Sequence, residues 1–241
     1  MKRFCLKVFF IFNQKKKWNA FGRGDEVLKS MLLLIGPTIM IALGLHGLNS
    51  VPLTFFLFYG WLLLISGARI RQCLKSERNL LFSKEGLLTG FITGIIFLAI
   101  IFGTVSAFSE TFFDSAKLQK LLIDWNFTGG HQIMLILILL IVNPLLEEIY
   151  WREFMYANLI LKMNIFNTLL ITSFFYSLYH MLSLISLFNW PINLLGVIPV
   201  FLAGMVWGYF RHKFQTLIPA VLSHMLADLG IILVYFRFLH V

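Results

Sequence analysis

Long apolar runs are the feature that most restricts how this chain can fold. Seven segments come close to or exceed the roughly 20 residues that a membrane-spanning helix needs. They cover residues 27–45, 53–66, 87–107, 132–150, 166–184, 192–210 and 217–236. Hydrophobic residues make up 59% of the 241 positions and charged residues 13%, which is typical of membrane proteins. The sequence therefore predicts an all-α, polytopic transmembrane helical bundle of about seven spans.

The predicted topology leaves the number of spans open, since the second segment is short and an eighth span results if residues 152–165 dip into the membrane. We divide the chain into a basic cytoplasmic or interfacial segment (residues 1–26), N-terminal transmembrane helices (27–131) and a C-terminal transmembrane core (132–241). Residues 108–130 are expected to form a polar loop outside the membrane.

Basic residues predict the orientation of the bundle. Seventeen of the twenty Lys and Arg fall on one side, and the exceptions are Lys117, Lys120 and Arg237. Because basic loops stay cytoplasmic, we expect a multi-pass cell-membrane protein with a cytoplasmic N-terminus and an outside C-terminus. The net charge of +9 is then explained by topology and by attraction to anionic membrane lipids, so no nucleic-acid partner is needed.

Two adjacent carboxylates, Glu147 and Glu148, follow the uncharged run 133–141. An ionisable group at membrane depth costs about 2.5–3.5 kcal/mol on insertion scales, so it is retained where it is neutralised or used. Arg152 lies four residues after Glu148, at the spacing that lets an acid and a base meet on one helix face. Glu147 is rotated by about 100° and has no local partner, which makes it a candidate general base. Pro144 is expected to kink this helix, and the alternative is that both acids cap a helix end in water.

Two histidines and a third acid lie inside other predicted spans. His224 precedes Asp228 by four residues, and Tyr176 precedes His180 by the same interval, so each pair shares a helix face. Such a cluster fits a proton relay or an ion-coupled transporter. It also fits hydrolysis, in which a carboxylate and an imidazole activate water and a second imidazole stabilises an oxyanion. The same side chains could instead hold zinc.

The motif order E-E-x-x-x-R, aromatic-x-x-x-H and H-x-x-x-D resembles the CPBP family of intramembrane proteases over residues 132–230. That family includes type II CAAX prenyl endopeptidases and Abi-type bacteriocin-processing or self-immunity proteins. The resemblance implies an endopeptidase that cuts a peptide or protein substrate near the membrane surface. It implies that Glu147 with His180 activates water and that His224 with Asp228 supports the transition state. The implied catalytic residues are Glu147, Glu148, Arg152, His180, His224 and Asp228.

Two positions depart from the family pattern. Tyr176 replaces the commoner Phe, which we expect to matter little. Asp228 stands where the eukaryotic enzymes have Asn. Because an ionised Asp cannot donate to an oxyanion, we expect it either to orient His224 or to remain protonated.

The sequence leaves alternatives open for both the cofactor and the activity. If zinc or another divalent metal is used, its ligands would be His180, His224 and Glu147. We prefer a metal-free route because three helices would supply these ligands without the H-E-x-x-H pair that usually anchors zinc on a helix. The rival to an enzyme is a catalytically silent membrane protein of the same fold, such as an immunity factor or scaffold. A proton-coupled transporter is less favoured.

The depths predicted for these side chains in the membrane conflict with the idea that they form one cluster. At 1.5 Å per residue, Glu147 is about 5 Å and His224 about 10 Å from the cytoplasmic boundary, whereas His180 is about 20 Å deep. We expect residues 152–165 to form a partly sunken helix that starts the fifth span later and lifts His180 towards the acids. The polar cavity is expected to open towards the cytoplasm.

Overall fold

The computed structural model describes residues 23–75 and 83–239 of the chain. The chain divides into two units, Met1–Ile35 and Gly36–Val241. The described residues form helices and no strand, which confirms the all-α prediction. Most of the predicted N-terminal segment, residues 1–22, lies outside the described part.

Eight helices account for most of the described chain. They are α1 (Arg23–Ile41), α2 (Val51–Lys75), α3 (Lys84–Ala107), α4 (Ser115–Asp124), α5 (Gly129–Leu159), α6 (Ile165–Leu187), α7 (Val197–Phe214) and α8 (Ile218–Phe238). Six helical stretches in the described part are long and apolar enough to cross a membrane, and a seventh apolar helix, Val51–Gly67, is shorter. Outward-facing Phe56 and Leu64 of α2 are 76% and 85% exposed, which suits contact with lipid. The protein is therefore a multi-pass membrane protein of about seven spans.

Helix α5 is longer than its apolar run predicts. It continues for nine residues past Tyr150, and two π-helical segments, Ile138–Val142 and Ile149–Met155, flank the α-helical turn that carries the acids. Pro144 lies in the first turn of that segment, next to the predicted distortion. The alternative that both acids cap a helix end in water is wrong, because Glu147 and Glu148 are buried and the helix continues to Leu159. The helix continues because Tyr150, Trp151 and Arg152 are buried in the bundle rather than exposed at a boundary.

The turn after α5 also differs from its prediction. Residues 152–159 prolong α5, and α6 begins at Ile165, where the Asn164 side chain caps it by accepting from the Asn167 N–H. No separate sunken helix or eighth span forms at residues 152–165. The depth conflict is instead removed because Glu147 lies about 18 Å from the Leu159 end of its helix.

Glycine residues bring two helix pairs into close contact, because a glycine lets two helix backbones approach each other. A Cβ atom on Gly90 of α3 would lie 2.6 Å from the Pro219 carbonyl oxygen of α8. A Cβ atom on Gly204 of α7 would lie 3.1 Å from Ser173 of α6. These contacts fix α8 against α3 and α7 against α6.

The segment between α3 and α5 folds over one end of the bundle. Asp114 caps α4 by accepting from the backbone N–H groups of Ala116 and Lys117. Phe113 and Leu118 are buried in a cluster that also contains Val105, Val234 and Leu239. This segment is therefore a packed cap with an apolar inner face, which corrects the prediction of a polar loop. We call this end, with residues 108–131, the far end, and the opposite end, with residues 160–164 and 211–217, the basic end.

Candidate active site

The predicted ion pair on α5 is present and fully buried. Arg152 Nε lies 3.2 Å from Glu148 Oε2, and the side chains are 2% and 0% exposed. The Arg152 guanidinium also donates to the Gly204 carbonyl at 3.3 Å and lies 4.6 Å from the centre of the Tyr176 ring. These contacts explain how a charge pair is retained inside an apolar bundle.

His224 of α8 is the meeting point of the acidic residues. Its Nδ1 lies 3.1 Å from Glu148 Oε1, and its Nε2 lies 3.8 Å from Glu147 Oε2 and 3.7 Å from Asp228 Oδ1. The Trp207 ring stacks on the imidazole with centroids 4.2 Å apart. The helix pair thus brings together three carboxylates around one imidazole, which local spacing alone predicts only for Asp228.

Glu147 is 2% exposed, and its Oε2 has no hydrogen-bond partner among the described residues. The same oxygen lies 3.8 Å from His224 Nε2 of α8, so the neighbouring imidazole comes from another helix. Glu147 borders a cavity that Tyr179, His180 and Asp228 also line. The position suits a base that acts on a molecule in that cavity.

His180 of α6 has a defined hydrogen-bonding arrangement. Its Nδ1 lies 3.0 Å from the Tyr176 carbonyl oxygen. A carbonyl can only accept, so Nδ1 carries a proton and Nε2 of the neutral imidazole is the acceptor. The ring is also held by Tyr176 and Tyr179, with centroids 4.6 and 4.4 Å away. His180 therefore has a fixed ring and a basic nitrogen at the cavity.

Tyr176 has a contact that its departure from the family pattern did not lead us to expect. Its hydroxyl lies 3.4 Å from His224 Nε2, and its ring packs edge-on to Trp207. A Phe at this position would keep the packing and lose the hydroxyl contact. The substitution thus ties α6 to the imidazole of α8.

Sequence reasoning missed Asn143 and Tyr59. The Asn143 amide Nδ2 donates to Asp228 Oδ2 at 3.3 Å, and the Tyr59 hydroxyl donates to Asn143 Oδ1 at 3.1 Å. The signal in the sequence was Asn143 itself, a polar residue at the end of an apolar run, one helical turn before Glu147. Asn143 carries no charge, so a search for ionisable groups in the spans does not find it.

An apolar cavity of about 320 Å³ leads away from these side chains. Its polar part contains Asn143, Glu147 and His180, and its walls continue to Trp125 and Leu239 at the far end. The cavity thus extends away from the basic end. The prediction that it opens towards the basic, cytoplasmic side is wrong, because α5 continues past the acids and its buried aromatic residues fill that side.

The residues present do not fit the metal site considered from the sequence. Within residues 23–75 and 83–239, no three His, Cys, Asp or Glu side chains converge as metal ligands. We therefore derive no step through a metal ion.

Apolar spanning helices around a buried cluster of Glu, Arg and His side chains define a class of protein: a polytopic helical membrane protein whose ionisable site lies inside the bundle. Residues 129–230 match the family described as type II CAAX prenyl endopeptidase Rce1-like. The match confirms the resemblance seen in the motifs. No curated protein and no solved structure matched the chain.

Proposed function

We propose that the protein is an intramembrane endopeptidase that hydrolyses a peptide bond of a peptide or protein substrate with activated water. One observation carries the proposal: Glu147 and His180 both border the cavity, each with an atom that can accept a proton. The match of residues 129–230 to the type II CAAX prenyl endopeptidase Rce1-like family supports the same reaction class.

In the proposed reaction, Glu147 takes a proton from water while His180 Nε2 accepts from the same water. The water oxygen forms a bond to the substrate carbonyl carbon, and the carbonyl electron pair moves to oxygen as an oxyanion. Glu147 then transfers its proton to the leaving nitrogen as the carbon–nitrogen bond breaks. A new carboxyl terminus and a new amino terminus result.

Glu148 and Arg152 act as positioning residues in this proposal. Glu148 accepts from His224 Nδ1, which directs the opposite ring nitrogen towards Glu147 and Asp228. Arg152 balances the Glu148 charge. His224 supports the transition state, and Asp228 orients its imidazole, as a carboxylate does for a catalytic histidine.

The depth of the site refines where cleavage would occur. Glu147 lies near the middle of the 31-residue helix α5, about 18 Å from its nearer end. We infer that the scissile bond enters the bundle from the far end, and that it is cut at bilayer depth rather than at the membrane surface. The basic end remains cytoplasmic in this proposal, together with the N-terminus.

The test compares membranes from cells that express the wild-type chain or Glu147→Gln. Mass spectrometry of protein N-termini should find new termini in wild-type membranes that are missing from the variant. Glu85→Gln is the matched control, because Glu85 forms an exposed pair with Lys213 at the basic end. Identical sets of termini from wild-type and folded Glu147→Gln protein would reject the proposal.

A further inference from the structure

Asp228 lacks the N–H donor that would stabilise an oxyanion, and the adjacent Asn143 has one. A carboxylate accepts hydrogen bonds and cannot stabilise an oxyanion by donation. Asn143 stands directly against it, with Nδ2 3.3 Å from Asp228 Oδ2. Asn143 is 7% exposed and lines the cavity together with Glu147 and Asp228. An amide donor is therefore available where the residue on α8 supplies none.

The hydrogen-bond network fixes which way the Asn143 amide faces. Its Oδ1 accepts from the Tyr59 hydroxyl at 3.1 Å, so the NH₂ group is turned towards Asp228. The reverse orientation would set an amide oxygen against a carboxylate oxygen, which is repulsive. One N–H group is committed to Asp228, and a side-chain amide carries two. The second N–H remains for a molecule in the cavity.

The position along α5 also fits a donor to the reacting group. Asn143 precedes Glu147 by four residues within the α-helical segment Asn143–Glu148, so the two side chains are neighbours on one face. The group that would activate water and the group that would receive the developing charge therefore border the same part of the cavity.

We propose that Asn143 is a further catalytic residue, which donates an N–H to the oxyanion of the tetrahedral intermediate while Asp228 and Tyr59 hold its amide in place. This inference rests on the proposed endopeptidase function. It assigns the amide donor to α5 rather than to position 228 of α8.

The test uses purified full-length protein and a synthetic peptide that spans the cleavage site found in wild-type membranes. Asn143→Asp keeps the shape and the acceptor for Tyr59 but removes both N–H groups. We expect kcat to fall about 100- to 1,000-fold, as on loss of one oxyanion donor, with KM within about threefold of wild type. The inhibition constant of a peptidyl phosphinate, a tetrahedral anion of the same sequence, should rise in parallel with the loss in kcat.

Two further variants distinguish hydrogen-bond donation by the Asn143 amide from a purely structural role of this residue. Asn143→Asp combined with Asp228→Asn restores an amide to the pair and should recover at least about tenfold in kcat. Trp61→Phe removes the hydrogen bond from Trp61 Nε1 to Tyr150 without a change at the cavity, and should keep wild-type kcat and inhibition.

Three results would overturn the proposal. The first is a kcat of Asn143→Asp within about tenfold of wild type, and the second is an equal rise in KM and in the phosphinate inhibition constant. The third is no recovery in the exchanged pair. Glu147→Gln in the same assay isolates the underlying function, because equal cleavage by wild type and Glu147→Gln rejects the proposed endopeptidase mechanism itself.

Discussion

His224 Nδ1 of α8 lies 3.1 Å from Glu148 Oε1 of α5, while the other oxygen of that carboxylate faces Arg152. One buried carboxylate therefore serves two cationic or proton-bearing partners on different helices. Glu148 thereby links the Arg152 side chain of α5 to the His224 side chain of α8. A change at Arg152 is then expected to affect His224 although the two side chains lie on different helices.

Arg152→Ala should destabilise the protein strongly. It leaves the Glu148 carboxylate buried without its guanidinium, and breaking a buried pair typically costs about 3–5 kcal/mol. Thermal unfolding in detergent measures the loss. Lys213→Ala is the control, because its pair with Glu85 is largely exposed and should leave the melting temperature unchanged. Equal melting temperatures for wild type and Arg152→Ala would contradict the buried pair.

Gly90→Ala should separate α3 from α8. The added methyl group would meet backbone atoms of Pro219 at 2.6–2.7 Å, and backbone cannot rotate away as a side chain can. We expect a loss of about 1–3 kcal/mol from overpacking. Gly103→Ala on the same helix meets no atom within 4 Å and should leave stability unchanged or slightly higher. An unchanged free energy of unfolding for Gly90→Ala in the same assay would show that α3 and α8 lie further apart.

Trp207→Ala should lower stability by about 3–5 kcal/mol, the usual cost of a large aromatic truncation in a core. The indole stacks on His224 at 4.2 Å and donates to Ser223 Oγ at 3.1 Å. Trp207→Phe keeps a stacking ring and loses the hydrogen bond, which is worth about 1 kcal/mol. Similar unfolding temperatures for the two variants would mean that the stack contributes little.

Cleavage should survive prolonged treatment with a strong divalent-metal chelator. The prediction follows because, within the part of the chain that the structure describes, no three His, Cys, Asp or Glu side chains converge as ligands of a metal ion. The measurement is the cleavage rate before and after chelation, with elemental analysis of the purified protein. Stoichiometric zinc that is lost together with activity and restored with it would overturn the metal-free route.

The segments before and after α8 should report opposite sides of the membrane. A reporter inserted after Lys213, at the basic end, is expected in the cytoplasm, and one at the C-terminus is expected outside. Accessibility of each site to a membrane-impermeant label measures this. The prediction depends on the seventeen-to-three division of basic residues, and a reversed pair of signals would invert the proposed side of substrate entry.

The sequence by itself determined the helical membrane class and the contacts within single helices. Apolar runs predict spans because every backbone polar group must be satisfied inside the bilayer. A four-residue spacing places Glu148 beside Arg152, and His224 beside Asp228, because helix geometry does not depend on neighbours. Those pairs are present at 3.2 and 3.7 Å.

Only the tertiary structure decided how the helices meet. The contacts of His224 with Glu148 and Trp207, and of Asn143 with Asp228, depend on the rotation and axial shift of one helix against another. Local periodicity carries no information about either quantity. The same holds for the direction of the cavity, because buried aromatic residues extend α5 beyond its apolar run and fill the side on which an opening was expected.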